Sequence, residues 1–303
     1  MRTPPPLPSA LSGTSFTSAH ARRAGVSASR LRARDLQHPF HGVHASRPPS
    51  DVIARCLAYL RVMPDYAFFS HQTAAALLGV PLPPGIADDH LHVSVSFPRT
   101  PPRGRGIIGH SLGSVEGFVV GDLPISEPAH VWCQLSGVLE RDDLVAAGDF
   151  LVGARTRSPL VTDDDLAALA ADLHRTKGAR SRTWALQRIR FGADSRPESL
   201  LRLLLESLGL EGLHVNAPVT VSSGRLVLHP DLSVPQLRLA FEYEGDGHRV
   251  DQRQWYLDIE RRELLEAEGW RVVRVTARDL FHERAGFVER LQRFVPNVDI
   301  ERA

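Results

Sequence analysis

Four carboxylates in the last third of the chain have the types and spacing to hold a divalent cation. Asp231, Glu242 and Glu244 fall within the run HPDLSVPQLRLAFEYEGDGHR, and Glu198 precedes them in a Ser-Arg-Pro-Glu-Ser segment. Glu242 and Glu244 stand two positions apart on a predicted strand, so both point to one face while Phe241 and Tyr243 point to the other. Ten residues separate Asp231 from Glu242, enough for the chain to turn back and set the two side by side. Glu198, in the first turn of a predicted helix, can reach the same place. Carboxylates so close repel one another and resist ionisation unless a cation compensates. Magnesium or manganese accepts such oxygens together with water. The bound ion could activate that water, hold a scissile phosphate and offset charge on the leaving oxygen. The same residues also fit an exposed acidic strand with salt bridges to Arg225, Arg238 or Arg261.

The elements that must position these groups follow in a legible order. Pro197 suits the first turn of a helix running through Leu208, with Leu201, Leu204 and Leu205 on its buried side and Gly209 at its end. Strands are predicted over 213–221 and 225–234, joined at Ser222-Ser223-Gly224, and then over 237–244. A helix over 251–268, a buried-type strand in WRVVRVTA and a helix from Asp279 through Phe294 complete the series. Three antiparallel strands and a crossover to a fourth make a mixed sheet with helices on its faces.

Read in order, these pieces resemble the PD-(D/E)xK nuclease superfamily, and within it the branch beside the very-short-patch-repair endonucleases. The motifs are Pro197-Glu198-Ser199, Pro230-Asp231, Glu242-Tyr243-Glu244-Gly245-Asp246-Gly247-His248, Asp258-Ile259-Glu260-Arg261 and Gly269-Trp270-Arg271-Val272-Val273-Arg274. The resemblance covers roughly 195–296. It implies that Asp231 and Glu242 are metal ligands and that Glu198 holds metal-bound water. Glu244 takes the place of the superfamily's lysine, where this branch usually has aspartate. An acid there cannot stabilise a developing phosphorane by positive charge. His248 is the nearest group for that task or for proton transfer; it also reads as a loop histidine bonded to Asp246 or Asp258. Arg261 is expected to approach the site from the following helix. The implied reaction is hydrolysis of a DNA phosphodiester with Mg2+ or Mn2+.

The N-terminal part suggests what the enzyme would be placed on. Thr17 or Ser18 can cap one short helix and Ser27 a second, with Gly25 between them. Ala21, Val26 and Leu31 suit the inside of a helix-turn-helix, and Phe40-His41-Gly42-Val43-His44 a wing. Residues 17–49 carry six arginines and one acid, Asp35. Arg30, Arg32 and Arg34 fall on or beside the second helix and Arg22 and Arg23 on the first, an arrangement for a major groove and its phosphates. This segment resembles the N-terminal winged helix of actinobacterial proteins related to the AbiEi antitoxins. The middle region, with TAAALLGVPLP and the strand GIIGH ending at His110, resembles their linking domain. There His71 reads as a capping or core histidine, and the region as a scaffold or a surface for a protein partner. The AbiEi likeness carries a second functional expectation: a non-enzymatic DNA-binding regulator or antitoxin with a degenerate nuclease fold.

Size and composition bound these readings. The chain has 303 residues, 43% apolar, with 36 cationic against 35 acidic side chains, and Lys177 is its single lysine. Lysine is thereby removed from any site in the last third. Cys56 and Cys133 read as buried thiols rather than a disulfide framework or a thiolate metal site. No stretch reads as a membrane span or signal peptide, so a cytoplasmic location is expected. The expected fold class is α/β and multidomain: a loose N-terminus (1–14), a winged helix-turn-helix (15–50), a mixed α+β middle domain (51–157), a helical basic connector (158–194) and a restriction-endonuclease-like mixed sheet flanked by helices (195–296). A homodimer is expected because two cuts in duplex DNA often need two active sites.

Overall fold

In a computed structural model, residues 4–86, 89–113, 117–154, 156–221, 224–245 and 252–295 are described. Two units emerge, Met1–Leu139 and Glu140–Ala303. Both combine helices with mixed or antiparallel sheet, so the chain is α/β and multidomain. Among the described residues, no helix is long and apolar enough to cross a membrane.

The first unit begins with β1 (Phe16–Thr17), α1 (Ser18–Arg23), α2 (Ala28–Leu31) and β2 (Val43–His44). Thr17 Oγ1 accepts the His20 amide and Ser27 Oγ the Arg30 amide, each satisfying an orphan donor at a helix start. Gly25 turns between the helices at φ 80°. Leu11, Phe16, Ala21, Val26, Leu31 and Leu36 form the small core, and β1 pairs antiparallel with β2 in the register Phe16↔His44. The second helix is only one turn long. Next come α3 (Val52–Leu60), β3 (Ala67–Phe69), α4 (His71–Leu78), β4 (Leu91–Ser96), β5 (Ile107–Leu112), β6 (Gly117–Val120), β7 (Leu123–Ser126) and α5 (Pro128–Leu135). Their strands make one sheet in the order β5-β4-β3-β7-β6. The β4/β5 and β3/β7 pairs are parallel, and α4 packs on α5 and β4.

The second unit holds α6 (Arg141–Val152), α7 (Asp163–Asp172), α8 (Ala179–Leu186), α9 (Arg196–Ser207), β8 (His214–Val215), β9 (Val219–Val221), β10 (Leu226–Leu228), β11 (Leu232–Val234), β12 (Leu239–Glu244), α10 (Gln252–Ala267), β13 (Arg271–Thr276), α11 (Ala277–Phe281) and α12 (Arg284–Gln292). Its helix α6 packs on α8 and α9, which places residues 140–152 with this unit. The main sheet runs β13-β12-β11-β8, antiparallel except for the parallel β12/β13 pair. One face, with Leu232, Val234, Leu239 and Phe241, packs on Leu201, Leu204 and Leu205 of α9 and on Phe287 and Val288 of α12. The other, with Ala240, packs on Leu265 of α10 and on Val219 and Val221.

Two predicted strands are broken. The stretch 213–221 divides into β8 and β9, and 225–234 into β10 and β11, with β9 and β10 forming their own ladder. The breaks fall at Asn216, in the left-handed region at φ 46°, with Pro218 just beyond, and at His229-Pro230. Proline donates nothing to a ladder, and both bends carry one. The predicted last helix is also two: Thr276 caps α11 reciprocally with Asp279, and α12 starts anew at Arg284.

Helix α9 is fixed by a charge pair that water does not reach. Arg202 donates to Asp149 of α6 at 2.9 Å, with 1% and 0% of the two side chains exposed. The same guanidinium reaches the Arg188 carbonyl and Glu206, and Asp149 also accepts the Arg190 amide. Burial pushes the Asp149 carboxyl up, and Arg202 opposes that shift. Removing one partner would strand the other's charge. Asp149→Ala should therefore cost about 3–5 kcal/mol in urea unfolding, whereas Asp149→Leu with Arg202→Met should recover most of that loss.

Candidate functional site

Asp231 lies one residue before the end of the β11/β12 ladder, next to the Leu232↔Phe241 pair. Leu232 pairs with Phe241 and Ser233 with Ala240, which brings Asp231 near Glu242 at the edge of the ladder. Pro230 interrupts the chain just before, and the Asp231 carboxylate accepts the Tyr243 amide at 2.7 Å. Phe241 and Tyr243 belong to the core against α9. Glu242 and Glu244 therefore share the opposite face with Ala240.

Glu198 is 7% exposed at the start of α9, where Ser195 caps the helix. Its Oε2 accepts the Asp194 amide at 2.9 Å and the Asn216 side-chain amide at 3.1 Å. Burial and, second, the charge of Asp231 push its carboxyl up to about 7. Asn216 is the joint of this corner. It binds Glu198 and the Gly192 carbonyl through its side chain, donates its backbone N–H to the Asp231 carbonyl, and offers its own carbonyl to His229. The sequence reading passed over it. The signal was an asparagine, the residue that best tolerates positive φ after glycine, just ahead of a proline between two strand segments.

Arginines answer the remaining acids. Arg261 lies 3.2 Å from Glu242 and also donates to the His229 carbonyl. Arg274, the register partner of Glu242 on β13, forms an ion pair with Glu244. Glu198, Asp231 and Glu242 do not form a group whose ligand atoms all lie within 4.8 Å of one another. Each is turned toward a donor of its own. His248 and the side chain of Asp258 lie outside the described residues.

Of the arginines expected on DNA, Arg22, Arg23, Arg32 and Arg34 are exposed. Arg30 instead is 8% exposed, forked onto Asp35 at 2.9 and 2.8 Å and donating to the Pro5 carbonyl at 2.6 Å. Its guanidinium is committed to holding the N-terminal segment on the small core.

A metal-competent group does exist, in the first unit. His71, His92 and His110 present ligand nitrogens that all lie within 4.8 Å of one another. His92 is on β4, His110 on β5, and His71 opens α4. The His71 and His110 rings stack with centroids 3.8 Å apart, and His92 Nδ1 stands 3.0 Å from His110 Nε2. Burial, then the neighbouring imidazoles, push His71 down to about 3 and His110 down to about 4. At neutral pH both are uncharged and carry a lone pair, the state in which imidazole binds metal. This trio can therefore coordinate an ion. Sequence reasoning missed it because its members converge only through the parallel pairing of β4 with β5 and the packing of α4 beside them.

No family model matches the chain, and neither does any curated protein. Among solved structures the chain is similar to the RV2827C protein from Mycobacterium tuberculosis, at 16% identity over 71% of this chain and 86% of that one, with a TM-score of 0.39.

The raised value of Glu198 has a measurable sign. A carboxyl group held above its unfolded value of 4.5 stabilises the fold fully below that pH, and the contribution is lost as pH rises through about 7. The loss is at most about 3 kcal/mol. In chelator, Glu198→Gln should match the parent near pH 5 and exceed it in melting temperature near pH 8. Parallel melting curves that keep a constant separation across that range would refute the assignment.

Proposed function

We propose that the second unit is a divalent-metal-dependent endonuclease of the PD-(D/E)xK kind, acting on DNA. The observation that carries this reading is the Asp231 carboxylate at the start of β11, bonded to the Tyr243 amide beside Glu242 on β12, with buried Glu198 within electrostatic reach of Asp231. An all-oxygen donor set suits Mg2+ or Mn2+. Asp231, Glu242 and Glu198 would hold the ion, which when bound supplies charge for the scissile phosphate and a more acidic water. Arg261, now on Glu242, would turn toward phosphate once that carboxylate is engaged. Glu198 would position the attacking water beside the ion. Asn216 fixes Glu198 in place. Glu244, paired to Arg274, brings no positive charge of its own, so the lysine's task would fall to a neighbouring cation such as Arg261.

Supercoiled plasmid incubated with Mg2+ or Mn2+ should be nicked by the parent protein. Asp231→Asn and Glu242→Gln should each lower cutting by at least roughly 100-fold, about 2.7 kcal/mol of barrier, while keeping the fold. Equal cutting by all three proteins would end this reading.

The ion pairs of Glu242 and Glu244 favour a second reading, a non-enzymatic DNA-binding regulator of the AbiEi-like sort. In it the acidic face is closed by Arg261 and Arg274, and the exposed Arg22, Arg23, Arg32 and Arg34 carry the function. Both readings place DNA on these arginines. Arg32→Ala with Arg34→Ala should weaken DNA binding and reduce the salt slope by about two. Arg30→Ala should act differently and lower stability instead. Binding without any metal-dependent cutting would select the regulator.

A further inference from the structure

We infer that His71, His92 and His110 hold a transition-metal ion of the zinc class in the first unit, independently of the carboxylate corner. The donors are three imidazoles with no carboxylate among them. Such a set selects zinc, cobalt, nickel, copper or ferrous iron, whereas magnesium and calcium prefer oxygen.

The spacing of the nitrogens is close to that around a bound ion. Zn–N bonds of about 2.0–2.1 Å place two nitrogens of one tetrahedron about 3.3 Å apart. His92 Nδ1 and His110 Nε2 are 3.0 Å apart. Two neutral imidazoles at that distance share one proton. For an ion to engage both lone pairs, the proton between them moves to the other nitrogen of its own ring and the rings tilt until the lone pairs converge; His71, stacked on His110, supplies the third nitrogen.

The surroundings hold the ligands as a metal site requires. Ser94 donates to Ser70 Oγ at 2.6 Å, and Ser70 Oγ in turn stands 3.0 Å from His71 Nδ1. With Nδ1–H donated to that serine, Nε2 of His71 is the ligating atom, the usual outer-shell arrangement for a metal-bound histidine. Gln134 accepts the His71 amide at 2.7 Å and is itself anchored on Ser126. Thr73 accepts the His92 amide at 2.8 Å. His71 sits at φ 49°, a left-handed conformation that costs an L-residue roughly 1–2 kcal/mol and turns the ring back over β4 and β5. A histidine serving only to start α4 has no need of that backbone. Three protein ligands leave a fourth position for water or an outside ligand, and His71 and His110 are partly exposed.

The test is direct metal binding by the full-length chain after chelator stripping. Titration with cobalt(II) should give the visible absorption of a tetrahedral site, saturating at one equivalent and displaced by zinc. Zinc should raise the melting temperature by roughly 5 °C or more, and magnesium at the same concentration should not. His110→Gln and His71→Asn, both at partly exposed positions and checked by far-UV circular dichroism, should lose the cobalt spectrum. Glu242→Gln should keep it, which separates this site from the proposed nuclease centre. A parent protein with neither the cobalt spectrum nor the zinc-dependent shift would overturn the inference, as would a His110→Gln variant retaining both.

Discussion

A charged or polar atom taken out of water must meet a partner, and this constraint organises the chemistry of both units. The Asp149–Arg202 pair shows it at its most demanding, because neither group touches solvent. Such a pair is a weak source of net stability, yet breaking it is expensive, so its main effect is to forbid other placements of α9. That helix carries Glu198 in its first turn. The position of a candidate catalytic carboxyl is thus set by a guanidinium one turn further along the same helix and by an aspartate on another.

The acidic corner obeys the same rule with fewer means. Glu198, Asp231, Glu242 and Glu244 would repel if all were ionised and unanswered. Three kinds of compensation are present: amide N–H groups on Glu198 and Asp231, guanidiniums on Glu242 and Glu244, and a raised proton affinity at Glu198. A divalent ion competes with each of them at once. It would have to displace Arg261 and drive off the Glu198 proton, so metal affinity here is tied to pH and to ionic competition. The acids are spread beyond a single coordination sphere, each against the nearest donor.

Local chemistry was the legible part of the sequence. A cap at Thr17 or Ser18 and one at Ser27 are read from residue type, and the alternation of LAFEYE gives the two faces of β12. The ten residues between Asp231 and Glu242 leave room for the chain to turn back, as it does between β11 and β12. What escaped depends on contacts distant in sequence or on backbone conformation. Arg30 reads as one more exposed cation of a basic helix, and only the fold shows that Asp35 and Pro5 enclose it. Asn216 falls inside a predicted strand, although its left-handed backbone bends the chain there and its amide reaches Glu198. The histidines sit in three separate elements, each with an ordinary local role, and parallel pairing of β4 and β5 has no signature in either strand alone.

The two donor sets differ in kind as well as in place. Carboxylate oxygens offer charge and bind hard ions that keep their water, whereas neutral imidazoles offer lone pairs and bind softer ions by directed bonds. The corner around Glu198 is negative before any ion arrives, so attraction acts at a distance and is screened by salt. In the histidine trio, burial disfavours imidazolium at His71 and His110. The trio therefore gains little from long-range attraction and must rely on preorganised geometry, which the Ser70–Ser94 pair, Gln134 and Thr73 supply. One chain can thus present sites for two classes of ion without either set serving the other, because the charge that favours magnesium is absent from the trio and the nitrogens that favour zinc are absent from the acidic corner's proposed ligand set.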